Sequence, residues 1–301
     1  MWKLNIRAMK YLSEVSRFGS LRKVAAHLNV DVSTISRQLA QLEEELTATV
    51  ITRSGQGVVL TQIGEELVAL YRQQKASEVA ALSRIKALQS LKTGRVSLAV
   101  GEGFIADLIS APLQAFMTRY PGIQISVEMA GVNEAIRLVK EDRVDLAVVY
   151  APSPDVELQS HVITRQPLEL IAPPQHALTR QLPLTIRQIS EYPLALIDQQ
   201  FGMGQLVSLV EELEHIRFEP QLRTNSVAVL KNFVLSGMGV TFMPRLTVQS
   251  EIEQGKIICI PVPHPVLTGA NAHIVSHKGR ELTVSSEALI AHLHDGMLFF
   301  N

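Results

Sequence analysis

The sequence predicts two architectures in one chain. An all-α winged helix-turn-helix continues into one long helix, and an α/β half built on a doubly wound sheet follows. Three observations carry this expectation. Residues 19–46 read as two short amphipathic helices joined by a tight turn. Residues 61–91 hold no proline and repeat apolar side chains at helical spacing. From residue 95 onward, short apolar runs alternate with helical patterns.

Residues 4–18 form the first helix, with Ile6, Met9, Leu12 and Val15 facing inward. In the stretch after it, Ser20 suits an N-cap, and Val24, Ala25 and Leu28 fall on one buried face. Small Ala25 and Ala26 allow close approach of a second helix. Asn29 and Val30 break the chain, and Asp31 offers a carboxylate to the free N–H groups of a helix over about 32–45. Ile35, Leu39 and Leu42 make its inner stripe. Its other face opens with Val32, Ser33, Thr34, Ser36, Arg37 and Gln38. A short turn followed by a helix that opens on small polar residues and an arginine describes a DNA-binding helix-turn-helix. An ordinary helical hairpin shares the apolar spacing.

Thr49 to Leu60 carries Val50, Ile51, Val58, Val59 and Leu60 around Ser54-Gly55-Gln56-Gly57. Short strands through a glycine-rich tip describe a wing, with Arg53 at its base placed for a phosphate. Thr61 caps the long helix, and Glu65 sits near its positive end. Unbroken to about Leu91, this helix spans roughly 45 Å at ~1.5 Å per residue. Its apolar stripe is Ile63, Leu67, Leu70, Val79, Leu82, Ile85 and Leu88. A small wing domain cannot bury so long a stripe. Pairing with the same helix of another chain can, and so can folding back on the C-terminal half. Lys92-Thr93-Gly94 ends the helix as a hinge.

In the C-terminal half the expected strands are 96–100, 123–129, 146–150, 167–172, 194–197, 222–224, 239–243 and 272–276. The expected helices are 105–119, 134–141, 205–216, 226–236, 246–254 and 284–293. This alternation builds an open parallel sheet.

Charge is divided unevenly. Residues 1–92 carry 13 Lys and Arg against 8 Asp and Glu, whereas residues 93–301 carry 15 against 21. A basic front on an acidic remainder fits a phosphate-bearing partner at the front end. The single cysteine, Cys259, excludes an internal disulfide and lies in the apolar run 257–260, where a buried structural thiol is expected. No run of roughly 18 apolar residues occurs, and residues 1–7 lack a secretory pattern, so a cytoplasmic protein with no membrane contact is expected.

Chemistry-bearing motifs are sparse. Gly101-Glu102-Gly103-Phe104-Ile105-Ala106 matches a dinucleotide fingerprint. Glu102 would, however, set a carboxylate where the pyrophosphate belongs, and Glu128 is poorly spaced for the ribose. A tight turn delivering a helix N-terminus is the better reading. There is no G-x-S-x-G and no H-E-x-x-H, and His292 and His294 cannot share a metal on one helix face. A non-enzyme without cofactor or metal is expected; the alternative is an α/β enzyme or solute-binding protein with an attached helical domain.

Residues 1–92 resemble the LysR-type transcriptional regulators. The resemblance rests on Leu12 with Gly19-Ser20-Leu21, on Ala25-Ala26-His27-Leu28, on Ser36-Arg37-Gln38-Leu39 and on Leu42 to Leu46. Thr52 to Gly55, Leu60-Thr61 and Gly64-Glu65 extend it. Val32-Ser33 stands where the family often has Gln-Pro, which removes a base-reading amide, so the DNA preference of relatives does not transfer. Val50-Ile51 replaces the usual Leu-Phe and keeps an apolar plug. The second half resembles the family's effector-binding domain through Phe116, Tyr120-Pro121, Val127-Glu128, Asp145 to Val148, Leu168 to Pro173 with His176, Asn225-Ser226, Leu230, Phe233-Val234 and Gly237 to Val240 with Pro244.

The resemblance implies a winged domain over 1–60, a linker helix over 61–92, and a two-lobed, periplasmic-binding-protein-like domain over 93–301. Lobe I would be 94–165 with 268–301, and lobe II 166–267. It implies a sequence-specific regulator controlled by a small molecule held between the lobes. Double-stranded DNA would meet Ser20, Arg22, Val32, Ser33, Thr34, Ser36, Arg37, Gln38 and Arg53. The effector would meet Glu102, Gly103, Phe104, Gly131, Asn133, Tyr150, Phe201, Met203, Thr224, Asn225, Ser226 and Met243. A homodimer or homotetramer and contact with RNA polymerase are further expectations. Two readings of Glu102 stand open: it neutralises its own helix end and points away from the ligand, or it pairs with an amine-bearing effector.

Overall fold

The computed structural model describes residues 5–54, 57–87 and 93–301. The chain divides into two compact units, 1–82 and 83–301.

In the first unit, helix α1 (Ile6–Phe18) is capped by Asn5, whose side chain accepts the Arg7 and Ala8 N–H groups. Its buried face is Ala8, Met9, Tyr11, Leu12 and Val15. Ile6, expected inside, is exposed. Six residues before Leu12, it lies about 240° around a 3.6-residue helix and so faces outward. Helix α2 (Leu21–Leu28) ends at Asn29, which takes the left-handed conformation a short polar side chain tolerates. The Val30 N–H then closes on the Ala25 carbonyl in a Schellman turn. Helix α3 (Val32–Leu46) buries Ile35, Leu39 and Leu42. Two local expectations fail: Ser20 and Asp31 hold N-cap positions without a side-chain cap bond, and Ala26 is exposed.

The wing is the antiparallel pair β1 (Ile51–Ser54) and β2 (Gly57–Leu60); its tip, Gly55 and Gln56, lies outside the described residues. Gly57 has φ of 140°, and a Cβ there would stand 2.4 Å from the Gly19 carbonyl, so only glycine lets the wing close on the turn after α1. Glu43 holds the base of the wing by accepting the Val50 and Ile51 N–H groups. Helix α4 (Gln62–Ala87) opens with the Gly64 N–H donating to Thr61 Oγ1. Leu67 and Val68 bury its first turns on the core of α1, α2 and α3. Leu88, expected in the stripe, lies outside the described residues, as does Lys92 of the hinge. Gly94 is already the first residue of a strand.

The second unit has two lobes. Lobe I contains β3 (Gly94–Val100), α5 (Ile105–Ser110), α6 (Pro112–Arg119), β4 (Ile123–Met129), α7 (Val132–Lys140), β5 (Leu146–Tyr150) and β6 (Leu158–Arg165). Lobe II follows with β7 (Leu168–Ala172), α8 (Ile186–Ser190), β8 (Ala195–Ile197), α9 (Gly202–Leu213), β9 (Leu222–Thr224), α10 (Val227–Leu235), β10 (Thr241–Pro244), α11 (Gln249–Glu253) and β11 (Ile258–Ile260). The short helix α12 (Pro265–Thr268) leads back to lobe I, which ends with β12 (Asn271–His277) and α13 (Val284–Gly296).

The lobe I sheet has the order β4-β3-β5-β12-β6. Strands β3, β4 and β5 are parallel, but β12 runs antiparallel to both its neighbours, so the sheet is mixed rather than wholly parallel. The expected helix 105–119 is broken at Ala111, because Pro112 has no N–H and disfavours the helical conformation in the residue before it. In lobe II, β7 pairs antiparallel with β10 and β11, and β8 pairs parallel with β9. A bridge between Leu194 and Val240 joins the two pieces. Cys259 on β11 is half-buried, and burial pushes its thiol up to about 12, so it is no thiolate at neutral pH. No helix among the described residues is long and apolar enough to cross a membrane.

Strands β6 and β12 are stitched by two histidine–serine pairs: His273 Nδ1 lies 3.1 Å from Ser160 Oγ, and His161 Nε2 lies 2.8 Å from Ser276 Oγ. Desolvation of the ring lowers the pKa of the half-buried His273 and of the partly covered His161 below the usual 6.5. A lowered folded-state value means that the unfolded chain takes up protons first as pH falls. Stability is therefore complete above 6.5, falls through the interval below it, and levels once the folded imidazoles protonate. His176 acts in the same sense, and Glu169, raised by burial, in the opposite sense at lower pH. We expect Tm to drop between about pH 7.5 and about pH 5.5, and the double variant H161Q/H273Q to flatten that drop. Parallel curves for the two proteins would remove these histidines as the cause.

Candidate DNA-binding surface and effector cleft

On the first unit, Ser33, Ser36 and Arg37 are exposed on α3, Val32 is 39% exposed, and Thr34 is half-buried. Arg37, Arg22 and Arg53 are exposed and make no ion pair among the described residues, so their guanidinium groups are available to phosphates and base edges. Ser20 is half-buried at the start of α2. Gln38 departs from the expected role. Its Oε1 accepts the Asn5 side-chain N–H at 2.9 Å, which ties α3 to the start of α1. Only its amide donors remain for DNA.

In the second unit, a cleft of about 450 Å³, counting space open to solvent, lies between the lobes. Lobe I supplies the turn from Gly101 to Phe104, Ala130 and Val132 at the start of α7, and Val149 and Tyr150 at the end of β5. Lobe II supplies Phe201, Gly202 and Met203 at the start of α9, Val227 at the start of α10, Pro244 at the end of β10 and Thr247 just beyond it. Gly202 is required here: a Cβ would sit 1.9 Å from the Tyr150 carbonyl oxygen. The Tyr150 hydroxyl is spent on structure, donating to the Gln166 carbonyl at 2.7 Å in the segment that crosses between lobes. Burial drives its pKa far above the usual phenol range.

Six of the expected effector residues thus line the cleft: Glu102, Gly103, Phe104, Tyr150, Phe201 and Met203. The others do not. Gly131 is the N-cap of α7, between two lining residues. The Asn133 side chain accepts the Gln205 amide at 2.9 Å. Thr224 Oγ1 accepts the Ser226 N–H, Ser226 caps α10, and Asn225 is exposed. Met243 is fully buried in β10; successive strand residues point to opposite faces, so Pro244 reaches the cleft instead.

The sequence reading missed Thr247 and Phe299. Thr247 Oγ1 is a buried oxygen with no hydrogen-bond partner among the described residues. Phe299 packs against Phe104 with its ring tilted and the centroids 4.5 Å apart. Its N–H donates to Asp107 and its carbonyl accepts Gln166 Nε2, so the end of the chain is fastened as a wall of the cleft. Neither contact leaves a local sequence pattern.

Glu102 spans the cleft. Its Oε1 accepts the Ser226 hydroxyl and the Ala228 N–H, both at 3.0 Å, and its Oε2 accepts the Val227 N–H at 2.7 Å. The reading that turns this residue away from the ligand needs correction. The carboxylate reaches across the cleft, where the N-terminus of α10 engages it.

Comparison with known proteins agrees with this geometry. Residues 89–298 match the LysR substrate binding domain, and residues 6–65 match the bacterial regulatory helix-turn-helix protein of the lysR family. A RuBisCO operon transcriptional regulator from Allochromatium vinosum is 25% identical over 263 residues, covering 86% of this chain and 85% of that one. The transcriptional dual regulator GltC of Bacillus subtilis (strain 168) is 25% identical over 287 residues, covering 94% of each. A full-length OxyR variant from Pseudomonas aeruginosa superposes with a TM-score of 0.73 at 17% identity, over 97% of this chain and 95% of that one. CbnR complexed with its target DNA gives a TM-score of 0.56 at 16% identity, over 97% of this chain and all of that one. The family models together span nearly the whole sequence, and this chain belongs to the LysR-type transcriptional regulators, DNA-binding proteins whose C-terminal α/β domain takes a small-molecule effector.

Proposed function

We propose that the effector is held in the cleft lined by Gly103, Phe104, Tyr150, Phe201, Met203, Thr247 and Phe299, and that its binding changes lobe closure. The Thr247 hydroxyl, without a partner among the described residues, supports this most directly, because a buried polar atom left so is costly unless a ligand or water meets it. The cleft is assigned to binding rather than to catalysis. Closure would be passed through the linker helix to paired wings and change the spacing or bend of the bound DNA. In this reading 1–60 binds DNA, 61–92 links and pairs chains, and 93–301 senses. Ser33, Ser36 and Arg37 read the major groove, while Arg22 and Arg53 meet phosphates. The protein acts in the cytoplasm as a homodimer or a tetramer of two such dimers, with RNA polymerase as a further partner.

The test is hydrogen exchange on the full-length chain in the presence of individual metabolites. An effector slows exchange at 101–104, 201–203 and 297–301 and alters the nuclease footprint on promoter DNA. A metabolite that alters the footprint while leaving those segments unchanged places the effector elsewhere.

A further inference from the structure

We infer that Glu102 is a resident anion: the chain's own carboxylate fills the anion position of the cleft, so the effector is an uncharged molecule with an apolar body and a hydrogen-bonding group for Thr247. This rests on the reading of the cleft as the effector site and deepens it.

The argument begins at α10. Its first N–H groups lack partners within the helix and carry the positive end of its dipole. In a site built for anionic ligands they would face the ligand. Here Val227 and Ala228 donate instead to Glu102, and the Ser226 hydroxyl joins them. Three donors from lobe II on one carboxylate from lobe I also latch the lobes together. The bond crosses more than 120 positions of sequence, so it closes the cleft rather than the local turn. A second anion would meet a negative side chain and a helix end already satisfied.

What is left of the cleft is apolar. Phe104, Phe201, Met203, Val227 and Phe299 line it, and Thr247 contributes the one buried side-chain oxygen there without a partner among the described residues. Thr247 Oγ1 lies beside Gly103, where a Cβ would stand 3.3 Å from it, so glycine at 103 keeps the turn close to that hydroxyl without crowding it.

The test uses full-length wild type, E102A and E102Q, with acetate as the anionic probe and acetamide as its uncharged isostere, at constant ionic strength. Hydrogen exchange is followed at Val227 and Ala228. In wild type these amides are protected and acetate adds nothing. In E102A they exchange at least tenfold faster, and acetate, not acetamide, restores protection. E102Q keeps an acceptor without the charge and exchanges several-fold faster than wild type. It decides the matter should E102A fail to fold. Equal protection in all three proteins, or acetate protecting wild type as it protects E102A, overturns the resident anion. A carboxylate or phosphate metabolite that regulates wild type with the α10 amides still protected by Glu102 overturns the assignment of effector class. Acetate rescue in E102A, combined with a wild-type footprint and wild-type response to effector, upholds the resident carboxylate and instead overturns the effector reading beneath it.

Discussion

The double variant V79E/L82E should be monomeric by light scattering and should lose about 10²- to 10⁴-fold in operator affinity, the range gained when two linked sites bind together. Val79 is 49% exposed and Leu82 52%, one turn apart on α4, and Ile85, 57% exposed, continues the line. Apolar side chains in a row on a long helix are poorly accounted for in a single chain. Pairing with a second α4 would remove them from water at about 25 cal/mol per Å² of apolar area. Glutamates at the same places would bury like charges against each other. Leu67 and Leu70 are less informative targets, because Leu67 is buried in the core of its own unit and Leu70 is half-buried. Charge there would confuse unfolding with dissociation. The thermal transition of V79E/L82E measured with the chains dissociated should stay within about 0.5 kcal/mol of an isolated wild-type chain, as exposed substitutions do. A variant that remains dimeric refutes the stripe as the interface.

The parts of the fold that could be read in advance were those whose signal is local. The run Leu146-Ala147-Val148-Val149-Tyr150 is buried along its whole length, and apolar runs of that kind belong to central strands. Strand β6 was not recognised. Leu158 to Arg165 lies at the sheet edge, alternates half-buried with exposed residues, and contains Gln159, Ser160 and His161 on a surface that water reaches. Its partner β12 comes over a hundred residues later, beyond any local pattern. The break at Pro112 was legible and was overridden by the helical spacing on either side. The wing was legible because glycines at a hairpin tip flanked by valines leave few alternatives.

The site divides in the same manner. The turn from Gly101 to Phe104 could be placed from its own sequence, since a strand followed by a glycine-bounded turn and a helix delivers that turn to the end of a sheet. Choosing Met243 instead of Pro244 was an error of one residue, which on a strand exchanges the core face for the open one. Phe299 reaches the cleft only because Asp107 and Gln166 fasten the end of the chain, two contacts spanning 192 and 133 positions. The fate of Glu102 was decided by α10 in the opposite lobe, so nothing beside Glu102 could reveal it.

Arg37→Ala should weaken operator binding by about 1–3 kcal/mol, the worth of one bidentate contact to a guanine edge, or roughly 5- to 150-fold. Arg37 lies in the N-terminal half of α3, the part of a recognition helix that enters the major groove. It is exposed and has no ion pair among the described residues, so its loss leaves Ile35, Leu39 and Leu42 packed and the thermal transition unchanged. Val32, at the first position of the helix, is placed to meet a thymine methyl. Arg53→Ala makes the contrast. A phosphate contact from the wing, where Arg53 pairs with Val58 next to the last pair before the tip, should be lost about equally on operator and on unrelated duplex, and the salt dependence should fall by about one unit of slope. Retardation assays over a salt series therefore separate the two roles. Arg37→Ala should lower operator affinity much more than affinity for unrelated DNA and relax the preference at one base pair. An unchanged operator affinity near physiological salt would mean that α3 does not lie in the groove as placed. An equal loss on both duplexes would make Arg37 a second phosphate contact and leave base reading to Ser33, Ser36 and Val32.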